Sequence, residues 1–400
     1  MRRLSGGVMK MPIASSSLVI RPVALVLAVV LAGGLARNLH ANDETNKPAT
    51  AYPKIETIDP PENGFFTKVL SFNGILIKAP AVVVDDALYR AYDRMALETA
   101  RIPMAVSNIA AAGGELHIIG RDQVTTDLPE WRQDKHVPLY EPTYNGATRD
   151  RRTRGMGGLI TSCGEENLLN LPNDRYRGSD ICLHEFAHNI EGSGMGAEIR
   201  AKFDAQAKIS KDKGLWLRTY AGSNPNEYFA ELTMWYFNSH GSYGGFQGAR
   251  PDTGTEGLKK YDPEAFALFD EFYSGKMNIP KLDPRNRGRA QRVGDVGSNR
   301  TPAGRVVGRL NSYKIGETKI SQLYADAGMA APGDAGQNGW VVAPRNSSQT
   351  DGASANQTPS GETPAHLSLR VSFHHETYGN AALADLDFKD GVLTAFKWDN

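Results

Sequence analysis

The 400-residue sequence predicts an α+β fold in two parts: a larger domain over residues 42–282 and a small α+β module over residues 306–400. Three observations support this prediction. Short strand-like runs are mixed with segments whose apolar residues recur every three or four positions, as in amphipathic helices. A stretch rich in Arg, Pro, Gly and Asn, residues 283–305, has the composition of a linker. Asp390-Gly391, between two strand-like runs, predicts a hairpin in the module.

The first 41 residues have the pattern of a secretory signal peptide. Basic residues precede the short apolar run 23–35, and Leu39-His40-Ala41 could precede a cleavage site. The apolar run is too short to cross a bilayer comfortably. An uncleaved membrane anchor is the alternative, because the charged segment is long and Arg37 follows the run. We therefore expect a secreted, periplasmic or cell-envelope protein.

The charge of the mature chain argues against a nucleic-acid partner. The full chain has 45 basic and 45 acidic residues, and the first 41 residues contain five of the basic ones and none of the acidic ones. Removing them leaves 40 basic residues against 45 acidic ones, a net charge of −5. A basic footprint for nucleic acid is therefore not expected.

The first half of the larger domain predicts a β-sheet combined with a helix. A polar tether is expected through Pro60-Pro61. His117 is expected to be an ordinary residue of an alternating strand, not a metal ligand. The predicted elements are strands over residues 68–72, 75–78 and 115–119 and a helix over residues 85–102 that Pro103 ends or kinks.

The most informative pattern is His184-Glu185-Phe186-Ala187-His188, in which two histidines lie four residues apart with a glutamate beside the first. On a helix this spacing places both imidazoles on one face, where each can offer a ring nitrogen to one tetrahedral Zn²⁺. Glu185 would then lie beside the metal and act as the base for a zinc-bound water. The predicted chemistry is hydrolysis.

Capping and periodicity both predict a helix at this position. Ser179 is a suitable N-cap, and Asp180 is an acidic residue in the first turn, where the helix dipole favours it. The alternative is a pair of buried histidines that bind no metal. The apolar residues that recur at helical spacing and predict a core-facing side are Leu183, Phe186, Ala187 and Ile190.

A second helix is predicted after Asn224, which can cap it, with Pro225 in its first turn. Glu227 and Glu231 lie one turn apart on the same face. A catalytic zinc needs a third protein ligand, and Glu227 is our candidate, while Glu231 is expected to orient a ligand histidine. Glu231 or His240 would be the third ligand if Glu227 were not. A solvated acidic face is the alternative without a metal.

The metzincin arrangement of zinc ligands does not fit this chain. It requires a glycine and a third histidine at fixed positions after the second histidine, and Glu191 and Gly194 occupy them. The third ligand is therefore sought on the second helix.

These residues resemble the metallopeptidase domain of the anthrax lethal factor family, which also includes secreted Pro-Pro endopeptidases and belongs to the gluzincins. The resemblance covers about residues 180–236. It implies a zincin-like fold with an H-E-x-x-H active-site helix. It also implies zinc binding by His184, His188 and Glu227, general base catalysis by Glu185 and support of the site by Glu231.

The resemblance also assigns a role to Tyr220, which stands seven positions before Glu227 as the family's catalytic tyrosine does. A phenol is a neutral hydrogen-bond donor suited to an oxyanion beside a metal. A half-buried core tyrosine is the alternative. The separation between His188 and Glu227 differs from that of the lethal factor itself, so the resemblance does not extend to substrate specificity.

Three further predictions concern the segment before the histidine helix and the start of that helix. Residues 145–163 are rich in Gly, Arg and Thr without periodicity and are expected to line a cleft as an irregular loop. Residues 166–169 are the candidate for an edge strand that would pair with an extended substrate. Cys163 and Cys182, the only cysteines, could form a disulfide or remain buried thiols; metal ligation by Cys182 fits poorly because it faces away from His184.

The C-terminal module predicts one helix and several strands. The expected elements are a helix over residues 320–327 and strands within residues 339–343, 366–373 and 383–398. Residues 346–364 are of low complexity and are expected to be disordered. His374 and His375 are not expected to share a metal, because adjacent strand residues face opposite sides. A basic docking patch is the alternative to a solvated linker over residues 281–305.

The sequence therefore predicts a secreted zinc-dependent endopeptidase that acts on a peptide or protein substrate. The alternative is a catalytically inactive zincin-fold binding protein of the cell envelope, in which zinc is structural and the C-terminal module makes the functional contact. The presence of Glu185 favours the enzyme.

Overall fold

The computed structural model of the chain describes residues 52–140, 144–241, 251–284, 301–329, 336–345, 366–375 and 379–399. The predicted signal peptide, most of the predicted linker and the low-complexity tract 346–364 lie outside these residues. The described chain is a mixed α+β structure with a six-stranded sheet, a four-stranded antiparallel sheet and eleven α-helices, which confirms the α+β class. In the described part of the chain, no helix combines the length and apolar character needed to cross a membrane.

The six-stranded sheet has the order β1-β2-β3-β4-β6-β5. The pairs β1–β2, β2–β3 and β5–β6 are antiparallel, whereas β3–β4 and β4–β6 are parallel. The three strands predicted in this domain are confirmed as β2, β3 and β4. The strands are β1 (Glu56–Glu62), β2 (Phe66–Phe72), β3 (Ile75–Ala79), β4 (Glu115–Ile119), β5 (Gly155–Met156) and β6 (Ile160–Gly164).

The described residues of the same part of the chain form nine α-helices. The predicted helix over residues 85–102 is confirmed as α1, and Pro103 begins a new helix instead of kinking the first. A π-helical turn, Ile190–Gly194, follows the fifth helix directly. The helices are α1 (Asp85–Thr99), α2 (Pro103–Ala112), α3 (Arg149–Arg152), α4 (Glu165–Leu168), α5 (Ile181–Asn189), α6 (Ala197–Asp212), α7 (Pro225–Tyr236), α8 (Thr255–Tyr261) and α9 (Pro263–Tyr273).

Two predictions for local structure are wrong. Pro60-Pro61 lies inside β1, not in a tether, because an edge strand tolerates residues that lack an N–H donor. Residues 166–169 were expected to form an edge strand, but Glu165–Leu168 is the short helix α4. Its carboxylates fix the turn: Glu165 accepts backbone N–H groups from two distant segments, and Glu166 pairs with the buried Arg154.

The stretch 145–163, expected to be an irregular loop, contains α3, β5 and most of β6. The absence of periodicity in the sequence reflects the shortness of these elements, since a two-residue strand and a four-residue helix are too short to repeat a pattern. The edge strand of the sheet on this side is β5, which pairs with β6 alone among the described strands.

In its described residues, the C-terminal module combines two α-helices with the four-stranded sheet, in the order β10-β9-β8-β7. The predicted helix and strands are confirmed, and Asp390-Gly391 forms the β9–β10 turn with φ angles of +49° and +77°, the left-handed region that this dipeptide accepts. The elements are α10 (Pro302–Leu310), α11 (Ile320–Ala327), β7 (Trp340–Pro344), β8 (His366–His375), β9 (Gly379–Lys389) and β10 (Val392–Trp398).

The described chain has two main apolar cores. The larger lies between the six-stranded sheet and helices α1, α2, α5, α6, α7 and α9. The smaller belongs to the C-terminal module, but it also includes Val137 and Leu139 from the larger domain. The module begins with α10 at Pro302, inside the stretch predicted to be a linker. The domain bounds 42–282 and 306–400 stay predictions.

Candidate metal and active site

Helix α5 carries the two histidines, and its N-terminus is fixed by a side-chain cap. The cap is Asp180, not Ser179 as expected, because the Asp180 carboxylate accepts a hydrogen bond from Leu183 N at 3.1 Å and also pairs with Arg94. The predicted apolar side is confirmed, since Leu183, Phe186, Ala187 and Ile190 are all fully buried.

A disulfide attaches this helix to the sheet. Cys163 at the end of β6 bonds to Cys182 in the first turn of α5, and both residues are fully buried. This settles the alternative that the sequence left open, in favour of the disulfide over two free thiols. The first turn of the histidine helix is therefore covalently joined to the central sheet.

Helix α7 carries the two glutamates and begins as predicted. Asn224 caps it by accepting a hydrogen bond from Glu227 N at 3.0 Å, and Pro225 is its first residue. The buried Tyr228 hydroxyl donates to Asp262 at 3.0 Å, and this anchors the first turn of α7 to the cap of α9. Glu227 thus stands in a rigid first turn, where the helix dipole favours a carboxylate.

The two helices bring three ligand atoms together. His184 Nε2 lies 3.1 Å from Glu227 Oε2, and His188 Nε2 lies 3.5 Å from the same oxygen. Ligand atoms of His184, Glu185 and His188 all lie within 4.8 Å of one another. A tetrahedral zinc ion with bonds of about 2.0 Å separates its ligand atoms by about 3.3 Å. The distances from Glu227 to the two histidines bracket that separation, so this donor set fits such an ion.

The far nitrogen of each histidine faces a second carboxylate. His184 Nδ1 lies 3.2 Å from Glu231 Oε1, and the other oxygen of Glu231 lies 3.0 Å from His240 Nε2. His188 Nδ1 lies 3.8 Å from Glu191 Oε2. Glu231 therefore stands behind His184, on the side away from Glu227. Glu231 and His240 interact with each other, which makes either of them less suitable than Glu227 as the third ligand.

Charges within the site shift the pKa values of its groups. Burial opposes protonation of His188, but Glu191 and Glu227 outweigh it and raise its pKa to about 9. Burial would raise the pKa of Glu231, yet His184 and His240 lower it to about 2. The pKa of Glu227 is held well below its usual range by the two histidines despite burial. The negative charges of these glutamates therefore stabilise a positive charge at the position of the two histidines.

Glu185 projects from the same helix without an ion pair of its own among the described residues. Burial raises its pKa, and the nearby histidines act in the opposite direction. A carboxylate with a raised proton affinity is a better base than a solvated one. Its position beside both histidines matches the sequence prediction.

Tyr220 lies on the open side of the cluster. Its hydroxyl donates to Glu227 Oε1 at 3.0 Å, and its residue surface is 37% exposed. Burial of the hydroxyl and the charge of Glu227 raise the pKa of Tyr220 well above its usual range, so the phenol stays protonated. The guanidinium of Arg152 lies 5.8 Å from the centre of the Tyr220 ring. The structure thus places Tyr220 beside the predicted ligands.

The edge strand β5 lies against the histidine helix. A Cβ atom at Gly155 would stand 2.8 Å from Glu185 Oε1, and one at Gly157 would stand 2.5 Å from His188 Cδ2. Only glycine allows the backbone to approach the helix so closely. Sequence reasoning did not single out these two glycines; their signal was their spacing inside a segment that lacked any other pattern.

Two buried glutamates near the site were also not singled out from the sequence. Glu191 faces His188, as described above. Glu98 of α1 is 1% exposed, and burial, with Asp180 nearby, raises its pKa well above its usual range. Its signal in the sequence was its spacing, because Glu98 follows Leu88, Ala91 and Met95 on the apolar face of α1 at intervals of three or four residues.

Comparison with models of protein families, with curated proteins and with solved structures found no match for this chain.

Proposed function

We propose that this protein is a zinc-dependent endopeptidase of the zincin type, related to the anthrax lethal factor family. The observation that carries the proposal is the convergence of His184 Nε2, His188 Nε2 and Glu227 Oε2, with Glu185 beside them. Zinc is the metal we propose, because two imidazoles and one carboxylate leave a fourth tetrahedral position open, as in catalytic zinc sites.

When bound, zinc would supply a Lewis acid and lower the pKa of its water. Glu185 would accept a proton at its carboxylate and later deliver it to the leaving amine. Glu231 Oε1, which lies 3.2 Å from His184 Nδ1, would orient this ring so that the opposite nitrogen, Nε2, is directed towards Glu227 and the metal position.

Tyr220 would donate a hydrogen bond to the oxyanion that forms on the peptide carbonyl. Its protonated phenol and its exposed position support this role. The bond that it now makes to Glu227 Oε1 would be exchanged for one to the substrate.

A peptide substrate is supported by the edge strand β5. An extended peptide can add to the edge of a sheet through backbone hydrogen bonds. The edge strand β5 approaches Glu185 at Gly155, and Gly157, the residue after β5, approaches His188. We propose for β5 the substrate-pairing role that the sequence predicts for residues 166–169.

Export from the cell stays part of the proposal. The Cys163–Cys182 disulfide supports it, since such bonds persist in oxidising compartments and are rare in the cytosol of most organisms. The competing proposal is an inactive binding protein of the cell envelope with structural zinc. Glu185 favours the enzyme, because a purely structural metal needs no base beside it.

The test is cleavage of a diverse peptide library by the mature protein, read by mass spectrometry. A chelator-treated sample and the Glu185→Gln variant are run in parallel. We expect chelator-sensitive cuts in the wild type and a loss of about 10²–10⁴-fold in the variant, which should keep its zinc. Equal cutting by the variant would refute the role of Glu185. Absence of cutting by a fully zinc-loaded wild type would favour the binding protein.

A further inference from the structure

The C-terminal module packs against residues 136–140 of the larger domain. The ring of His136 stacks on Trp398, with 4.3 Å between centroids and 6° between planes. The ring of Tyr140 stacks on His375 at 4.3 Å. Val137 and Leu139, between these two residues, are buried in the module's own core. This segment of the larger domain is therefore part of the module's packing.

Residues 144–149, the connecting segment, lead from residues 136–140 towards the site. Leu139 N donates to the Ala147 carbonyl at 3.1 Å, which links the connecting segment to the residues that pack against the module. At the end of the connecting segment, Arg149 is buried and its guanidinium pairs with the buried Asp134 at 2.7 Å. The connecting segment is therefore held at both Ala147 and Arg149.

The connecting segment, residues 144–149, also contacts the edge strand β5. The Tyr144 hydroxyl lies 3.6 Å from Met156 Sδ, and Arg149 Nη1 lies 3.3 Å from the same sulfur. Arg149 Nη1 also donates to the Tyr144 hydroxyl at 2.9 Å. Met156 is the second residue of β5, next to the glycine that approaches Glu185. A series of contacts through residues 136–149 thus connects the aromatic residues of the module to β5, the strand beside the site.

We infer that the C-terminal module positions β5 for substrate, so that it is a working part of the peptide-binding site and not an inhibitor or an independent anchor. The inference rests on the function proposed above. Buried hydrogen bonds of Thr153 and Arg154 fix the start of this two-residue strand, which has one neighbouring strand. The contacts of Tyr144 and Arg149 with Met156 fix its second residue.

The positioning residues are His136, Tyr140 and Trp398, which act through β5 and do not touch the reacting groups. Backbone pairing with β5 binds the substrate equally in the ground state and the transition state. Loosening it should raise KM for long peptides and leave kcat unchanged. A short peptide that contacts only the residues around the cut should be affected much less.

The experiment uses the full mature chain loaded with zinc and a peptide taken from the cleavage library, in a long and a truncated form. Trp398→Ala and Tyr140→Leu should each raise KM for the long form roughly 3- to 10-fold, the range that a lost aromatic pair predicts. We expect kcat, zinc content and KM for the truncated form to stay within about twofold of wild type.

Two control variants separate positioning from a general loss of structure. Trp398→Phe keeps a ring against His136 and should restore most of the wild-type KM. Lys314→Ala changes an exposed residue of the same module that pairs with Glu317 and should leave both peptides unaffected. Hydrogen exchange of the amides of residues 144–157, which needs no activity, should rise in Trp398→Ala and not in Lys314→Ala.

Each outcome bears on one of the two proposals. An inactive wild type would contradict the proposed enzyme, and hydrogen exchange would then decide the positioning inference alone. An active wild type with unchanged KM and exchange in Trp398→Ala would overturn the inference. Increased activity in that variant would also overturn it, because that result identifies the module as an inhibitor.

Discussion

Two buried histidines in this protein lie between pairs of carboxylates, and their surroundings differ in one respect. His184 Nε2 and Nδ1 face Glu227 and Glu231 at 3.1 and 3.2 Å. His117 Nε2 and Nδ1 face Glu115 and Glu130 at 2.8 and 2.6 Å. Only His184 has a second histidine one helical turn away that faces the same carboxylate. A histidine flanked by glutamates is thus not by itself a metal site.

The other partners of each carboxylate explain the difference. At His117, the second oxygen of Glu115 accepts from Lys78 at 2.8 Å, so the cluster carries its own fixed cation. At His184, the second oxygen of Glu227 accepts from Tyr220, a neutral phenol on an exposed side. The first cluster contains a lysine of its own, whereas the second contains a second histidine and has the partly exposed Tyr220 at its edge. Exposure at Tyr220 and convergence of the ligand atoms, more than composition, define the candidate site.

The largest expected effect is on the third ligand. Glu227→Ala should lower zinc affinity by more than the roughly 10–100-fold typical of residues behind the ligands, and hydrolysis should be lost with the metal. Zinc content after dialysis against buffered zinc measures this. Full occupancy in the variant would transfer the ligand role to Glu231 or His240 and weaken the contrast with His117.

The open side of the site is tested by Tyr220→Phe. Removal of the hydroxyl should lower kcat by about 10²–10³-fold, as for other oxyanion donors, and leave zinc content and KM nearly unchanged. Steady-state kinetics on one library peptide give both parameters. If kcat is retained, Tyr220 is a packing residue, and its exposure does not mark the side from which substrate binds.

A smaller effect is expected behind His184. Glu231→Gln should weaken zinc binding about 10–100-fold, because a carboxylate that holds the far nitrogen of a ligand histidine fixes its orientation and basicity. Glu198→Gln, a change of the same kind on an exposed helical position, is the matched control. Equal zinc affinities in the two variants would contradict the proposed support by Glu231.

The smallest effect on function is expected at the His117 cluster. His117→Gln should cost about 1–3 kcal/mol of unfolding free energy, since it leaves buried carboxylates with poorer partners, while zinc content and kcat stay at wild-type values. Urea unfolding and kinetics on the same preparation measure both. A loss of zinc in this variant would remove the distinction between the two clusters.

The same variant has a pH signature. Burial opposes protonation of His117, but hydrogen bonds to Glu115 and Glu130 outweigh it and raise its pKa above the usual value. The stabilisation is therefore complete below the unfolded pKa of about 6.5 and is lost as the pH rises through the folded pKa. The stability difference between wild type and His117→Gln should be largest near pH 6 and shrink above it. A difference independent of pH would contradict a charged His117.

Local signals in the sequence correctly predicted the two helices that carry the candidate site. Asn224 and Pro225 located the start of α7, and the four-residue spacings of His184–His188 and Glu227–Glu231 placed each pair on one helix face. These features depend on contacts within one or two helical turns, which the sequence contains in full. The cap of α5 was misplaced by one residue, because Ser179 and Asp180 are both good caps and Arg94, far away in the sequence, favours the second.

The sequence by itself therefore determined the α+β class, the two site helices and the identity of the residues they present, because short-range spacing and capping are properties of the chain. The tertiary structure alone decided that β5 is the edge strand, that Glu191 stands behind His188, that Cys163 meets Cys182 and that the module packs on residues 136–140. Each of these is a contact between distant or patternless segments, whose free energy depends on how the whole chain packs.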